Sequence, residues 1–203
     1  HEGNRIASIK TVYYDTKSKK IGQTLTDFSQ GPQVGSYEFK DERMQYSDGA
    51  KIMADQILIF HKETPEADTQ KKYLDRESSQ IVGQGFYSFV LDNLDALARG
   101  DVIAAKLVLP AQMDQFDIRI RKSNFEDNYL TIQIELDNWF LRLFAPRIEA
   151  EYDLDSRRLL KYKGVSMIAD ASGKNVPVTV SYAYSQQNLQ VSSLMTPEAV
   201  RQD

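Results

Sequence analysis

Period-two alternation of apolar and polar side chains is the feature of this sequence that most restricts its fold. In 116–121, Phe116, Ile118 and Ile120 fall on one side of an extended chain, and Asp117, Arg119 and Arg121 on the other. In 129–136, Leu130, Ile132, Ile134 and Leu136 oppose Tyr129, Thr131, Gln133 and Glu135. The pattern returns in 147–154, where Ile148, Ala150, Tyr152 and Leu154 oppose Arg147, Glu149, Glu151 and Asp153. It returns again in 176–184, where Val176, Val178, Val180, Tyr182 and Tyr184 oppose Thr179, Ser181 and Ala183. Successive side chains of a strand point to opposite faces, so each segment is expected to lay one face on a core and leave the other to water, as antiparallel sheets do. The first third also reads as strands, at about 5–14, 20–28, 37–46, 51–61 and 70–76. Asp48-Gly49 is a hairpin signal between the third and fourth of these. Ser29-Gln30-Gly31-Pro32 and Glu63-Thr64-Pro65-Glu66 have loop chemistry.

One segment follows a different period. From Gln84 to Arg99, Phe86, Phe89, Val90, Leu94 and Leu97 recur at helical spacing, with Ser88, Asp92, Asp95 and Arg99 on the opposite side. Gly100 stands where a helix C-cap glycine belongs. The wide aromatic stripe predicts a helix packed hard against the sheet. Asp137–Ala145, with Trp139, Phe140, Leu141, Leu143 and Phe144, is too short to assign to helix or strand before Pro146 ends it. The tail from Thr196-Pro197 has the start signal of a short helix and equally suits a frayed end. Tyr14-Asp15-Thr16-Lys17-Ser18-Lys19-Lys20-Ile21 is echoed by Tyr152-Asp153-Leu154-Asp155-Ser156-Arg157-Arg158-Leu159. In both, the aspartate is expected to bind turn amides and the aromatic to pair with the aliphatic across two strands.

Composition narrows the function classes. The chain has 203 residues, enough for one core and one domain spanning 1–203. Its formal net charge of −4 and lack of a basic run give no sign of a nucleic-acid or membrane-surface partner. There is no cysteine, which excludes disulfides, thiolate metal sites and cysteine nucleophiles. No apolar stretch is long enough to span a bilayer as a helix. The first residue is His1 rather than methionine, as after removal of a signal peptide, so a periplasmic or secreted location is the expectation.

Motifs for catalysis are sparse, and the chain is read as leaning away from enzymes. Apart from His1, the only histidine is His61, at the end of the Ile57-Leu58-Ile59-Phe60 strand, which is insufficient for a zinc site. No cofactor or metal is expected. Glu126-Asp127-Asn128 reads as a solvated turn rather than a calcium loop. Gly83-Gln84-Gly85 offers amides at a helix start, short of a phosphate-binding pattern. Arg119 and Arg121 either form surface ion pairs with Glu135, Glu149 or Glu151, or hold an anion between them. The tyrosines at 13, 14, 37, 46, 87, 162, 182 and 184 suit either ordinary strands or the mouth of a curved sheet that holds an apolar ligand.

The run Arg158-Leu159-Leu160-Lys161-Tyr162-Lys163-Gly164-Val165-Ser166-Met167-Ile168-Ala169-Asp170, continuing through Gly173-Lys174-Asn175 to Tyr182, resembles an uncharacterised family of bacterial secreted proteins. The LVLPAQMDQFDIRIRK run within Asp101–Arg121 fits the same resemblance. More distantly, many strands around one helix resemble the half-barrels of periplasmic lipoprotein carriers. That likeness implies a mainly β (α+β) fold, a large curved antiparallel half-barrel sheet with one long helix packed on its concave face. It also implies an apolar cleft lined by Phe86, Phe89, Val90 and Leu94, with Tyr182 and Tyr184 at its mouth. Two functions follow as expectations: a carrier for a hydrophobic small molecule, or an envelope interaction domain whose exposed apolar patch or sheet edge takes a protein partner. A carboxylate hydrolase comes third and requires two acidic groups together in a cleft.

Overall fold

The computed structural model describes residues 7–143, 145–170, 174–184 and 191–197. His1, Phe144, Gly173 and the tail after Pro197 lie outside the described residues. The fold is mainly β, 58% strand and 13% helix. In chain order the strands are β1 (Ser8–Tyr14), β2 (Lys20–Asp27), β3 (Ser36–Asp41), β4 (Tyr46–Ile52), β5 (Gln56–Lys62), β6 (Gln70–Asp75) and β7 (Gln80–Val82). After the helix α1 (Gly85–Arg99) come β8 (Ile103–Leu109), β9 (Asp114–Glu126) and β10 (Tyr129–Leu136). The short helix α2 (Trp139–Arg142) leads to β11 (Ile148–Asp153), β12 (Arg158–Ala169), β13 (Asn175–Tyr184) and β14 (Val191–Pro197). Strands β1 to β6 pair in sequence as one antiparallel sheet. The others form an eight-stranded sheet, ordered β14-β13-β12-β11-β10-β9-β8-β7, which curls into a mostly antiparallel half-barrel. Its β7 and β8 are parallel, the pairing that needs a crossover, and α1 supplies it.

The chain divides into two compact units. One comprises the chain to Asp92 with Ala105–Asp117, and the other Asn93–Ala104 with the chain from Ile118. In the first unit, Phe39, Ala50, Ile57, Ile59, Ile81 and Val82 are buried. In the second, the inward face of the alternation is largely realised: Ile118, Ile120, Leu130, Ile132, Ile134, Ala150 and Tyr152 are buried, as are Val178 and Val180, while Leu136, Ile148 and Val176 are half-buried and Gln133, expected on the polar face, is buried.

Helix α1 begins one residue after the expected Gln84 and ends at the expected Arg99. Gly100 takes a left-handed φ of 102°. Its N–H donates to the Leu97 carbonyl and that of Asp101 to the Ala96 carbonyl, a Schellman cap. Phe89, Val90, Leu94 and Leu97 are buried. The Lys122 ammonium donates to the Ala98 carbonyl and Arg157 pairs with Asp95, which ties the C-terminal half to the half-barrel sheet.

The first third differs from its sequence reading. The expected strands 37–46 and 51–61 are three strands, and Asp48-Gly49 lies within β4 instead of at a turn. The turns fall at 42–45 and 53–55. A β-carbon on Gly49 would meet the Tyr37 carbonyl oxygen and the Phe60 ring. The glycine therefore permits a close cross-strand approach, not a turn. Thr196 and Pro197, open in the sequence between a helix start and a frayed end, are paired with Thr179 and Val178 in β14.

The echoed hairpins use their aspartates as expected. Asp15 accepts the N–H groups of Lys17 and Lys19, and Asp153 those of Asp155 and Ser156. The pairing of aromatic with aliphatic occurs once: Tyr152 faces Leu159, but Tyr14 faces Lys20. The left-handed residue is Ser18 in the first turn and Arg157 in the second, so the two turns differ in register.

Candidate functional site

Two constellations bring chemistry-bearing side chains together. The first lies on one face of the six-stranded sheet. Cross-strand register places Thr24, Phe39, Asp48 and His61 in a row over β2 to β5, with Tyr37 and Tyr46 beside it. The Tyr46 hydroxyl donates to Asp48 Oδ2 at 2.6 Å. Tyr13 shares a hydrogen bond with Thr24 and stands edge-on to Phe39, while Tyr46 stands edge-on to His61. Asp48 is 5% exposed, and no cation pairs with it among the described ion pairs. Its Oδ1 and the Nδ1 of His61 are buried without a hydrogen-bond partner.

Burial pushes the Asp48 carboxyl above the ordinary carboxylate range. The hydroxyls of Tyr46 and Tyr37 and the neighbouring His61 pull the other way without offsetting it. Burial, then the Asp48 charge, raises both tyrosines above the usual phenol range. Three of the tyrosines noted in the sequence, at 13, 37 and 46, thus converge on a carboxylate that turn chemistry had hidden. A second carboxylate, which a hydrolase pair would need, does not appear among the groups that act on Asp48.

The second constellation lies where β10 runs into α2. Glu135, with its side chain 7% exposed, takes Arg119 and Arg121 from β9 and Arg142 from α2. The register sets Arg119 opposite Glu135 and Arg121 opposite Gln133, whose amide oxygen accepts from Arg121 at 2.7 Å. Partial burial works against ionisation of Glu135. Hydrogen bonds from Arg121 and Arg119 prevail and hold it below the usual carboxylate range. The ion-pair alternative for the two arginines is therefore realised at Glu135, with a third arginine added from α2.

Beyond this cluster, Asn138 caps α2 by accepting from the Phe140 and Leu141 N–H groups. The helix then presents Trp139 at 72% exposure and Leu143 at 70%, with Phe140 and Leu141 also exposed. Four large apolar side chains are thus exposed on five consecutive residues. An apolar run ordinarily signals core, so their exposure was not legible in the sequence.

The residues expected to line a cleft divide between the units: Phe86, Phe89 and Val90 belong to the first, and Leu94, Tyr182 and Tyr184 to the second. Val90 and Leu94 are 0% exposed, so no water-sized space touches them. Phe86 is half-buried. Tyr184 donates to the Leu159 carbonyl and lies under the Arg158 guanidinium. Gly83-Gln84-Gly85 is closed by packing: a β-carbon on Gly85 would meet the Gln33 carbonyl, and Gln84 bridges Thr26 and Thr11. Two surface hollows of about 340 and 320 Å³ lie elsewhere, one lined by residues 53–56 and Asp75, the other around Tyr129 and Glu151. Among the described residues no group of three or more metal-ligating side chains is found, and no helix is long and apolar enough to cross a membrane. Compared with known proteins, the chain matches no family model, no curated protein and no solved structure.

Proposed function

We propose that this chain is an interaction domain of the bacterial cell envelope that docks through the Trp139–Leu143 turn. The exposed apolar turn carries the reading. Four large apolar side chains in water on five consecutive residues have a free-energy cost that only a partner removes. Placement in the envelope rests on the resemblance of 158–182 to secreted bacterial proteins. A carrier for a hydrophobic small molecule is the second reading. It needs room beside Phe86, Phe89, Val90 and Leu94, and the complete burial of Val90 and Leu94 favours docking over it. Photocrosslinking in cells tests the docking. A photoreactive residue at 141 or 143 should give adducts, to protein or to lipid, and one at exposed position 17 should give none. Equal labelling at all three positions removes the proposal.

A further inference from the structure

Much of the backbone of the Trp139–Leu143 turn is paired locally. The N–H groups of Phe140 and Leu141 donate to the Asn138 side chain, those of Arg142 and Leu143 to the carbonyls of Asn138 and Phe140, and that of Ala145 to Leu141. The carbonyls of Leu136 and Asp137 accept from the Arg142 guanidinium. A peptide group taken unpaired into an apolar medium costs several kcal/mol, so self-satisfied turns are the ones that can leave water. Tryptophan, with an apolar ring and one N–H, settles at the boundary between lipid headgroups and acyl chains.

The base of the turn is positive although the chain as a whole is negative. Arg119, Arg121 and Arg142 gather on Glu135, and exposed Arg147 follows the turn. Set against Glu135, Asp137 and Glu149, which lies opposite Gln133 in register, the four arginines keep one positive charge in excess. Glu149, on the next strand, faces Lys163 in register. The guanidiniums offer more donors than Glu135, Gln133 and the two carbonyls can accept, and phosphate oxygens suit the remainder. A convex turn with apolar side chains radiating outward fits a fluid layer that closes around it, whereas a protein would have to present a matching pocket.

Resting on the docking reading, we infer that the occupant is an anionic phospholipid bilayer. Trp139, Phe140, Leu141 and Leu143 seat at the headgroup boundary and the arginine collar lies against the phosphates. Trp139 is the single tryptophan of the chain, so its emission reports insertion directly. With vesicles of phosphatidylcholine and phosphatidylglycerol the whole chain should sediment and its emission shift to the blue, while vesicles of phosphatidylcholine alone should bind more weakly. L143S should weaken binding about tenfold. R147Q should weaken it about fivefold on the anionic vesicles alone. About 0.5 M salt should erase the preference. Far-UV circular dichroism confirms that each variant is folded. Unchanged emission from a folded chain with both vesicle types overturns the inference, and equal binding to both overturns the role of the arginines. Crosslinks at 141 and 143 to protein, without vesicle binding, overturn the lipid assignment and leave the docking reading standing. Absence of both removes the two together.

Discussion

Asp48 and Glu135 are both carboxylates held out of water on a sheet face, and their pKa values move in opposite directions. Asp48 is surrounded by hydroxyls and a histidine, and burial raises its pKa. Glu135 has three arginines, and its pKa falls despite burial. Burial by itself therefore does not fix the direction in which an acid shifts; the charge of its neighbours decides it. The Asp48 cluster is short of positive charge and faces a packed interior. The Glu135 cluster has a surplus and lies beside a turn that reaches into water.

Removing Glu135 should have the largest effect. E135A leaves three guanidiniums crowded without a counter-charge, at a cost of about 2–3 kcal/mol by urea unfolding, moderated because the arginines are partly exposed. A loss no greater than that of an ordinary surface substitution would erase the contrast between the two sites. Y46F should cost about 1–1.5 kcal/mol, since it removes a donor to a buried carboxylate and raises Asp48 further. The smallest change is D48N, which should be neutral or stabilising by up to about 1 kcal/mol near pH 7 because the amide still accepts from Tyr46 without carrying charge.

The pH dependences have opposite signs. Asp48 binds its proton more tightly when folded, so stability is greatest below the ordinary aspartate value and falls as pH rises through the raised one. Glu135 contributes stability above the ordinary glutamate value that is lost as pH falls through its lowered one. Unfolding measured across pH should show the first slope disappear in D48N and the second in E135Q. Persistence of both slopes in both variants would assign them to other groups.

Periodicity made most of the second half legible. Leu130, Ile132 and Ile134 recur at period two because one face of β10 lies in the core, although Gln133 and Glu135 opposite them are also held from water, and α1 gives way at Gly100, which takes the left-handed cap. Local chemistry misled where cross-strand packing overruled it. Asp48-Gly49 has turn composition, yet strands on both sides hold it extended and Phe60 fills the space above the glycine. With the dipeptide read as a turn, the buried carboxylate was lost with it. The arginine collar was out of reach for another reason: Arg119, Arg121, Arg142 and Arg147 are scattered along the chain, and pairing of β9 with β10 gathers the first two onto Glu135.

The division into two units has a practical side for anyone wishing to cut the chain. It passes from one unit to the other after Asp92, Ala104 and Asp117. Those points fall inside α1, β8 and β9, not in linkers. No single truncation releases either unit whole, and a protease nick at any crossing severs a helix or a strand. Halves expressed separately would each carry a broken element, so neither unit can be excised without cutting into the secondary structure of both.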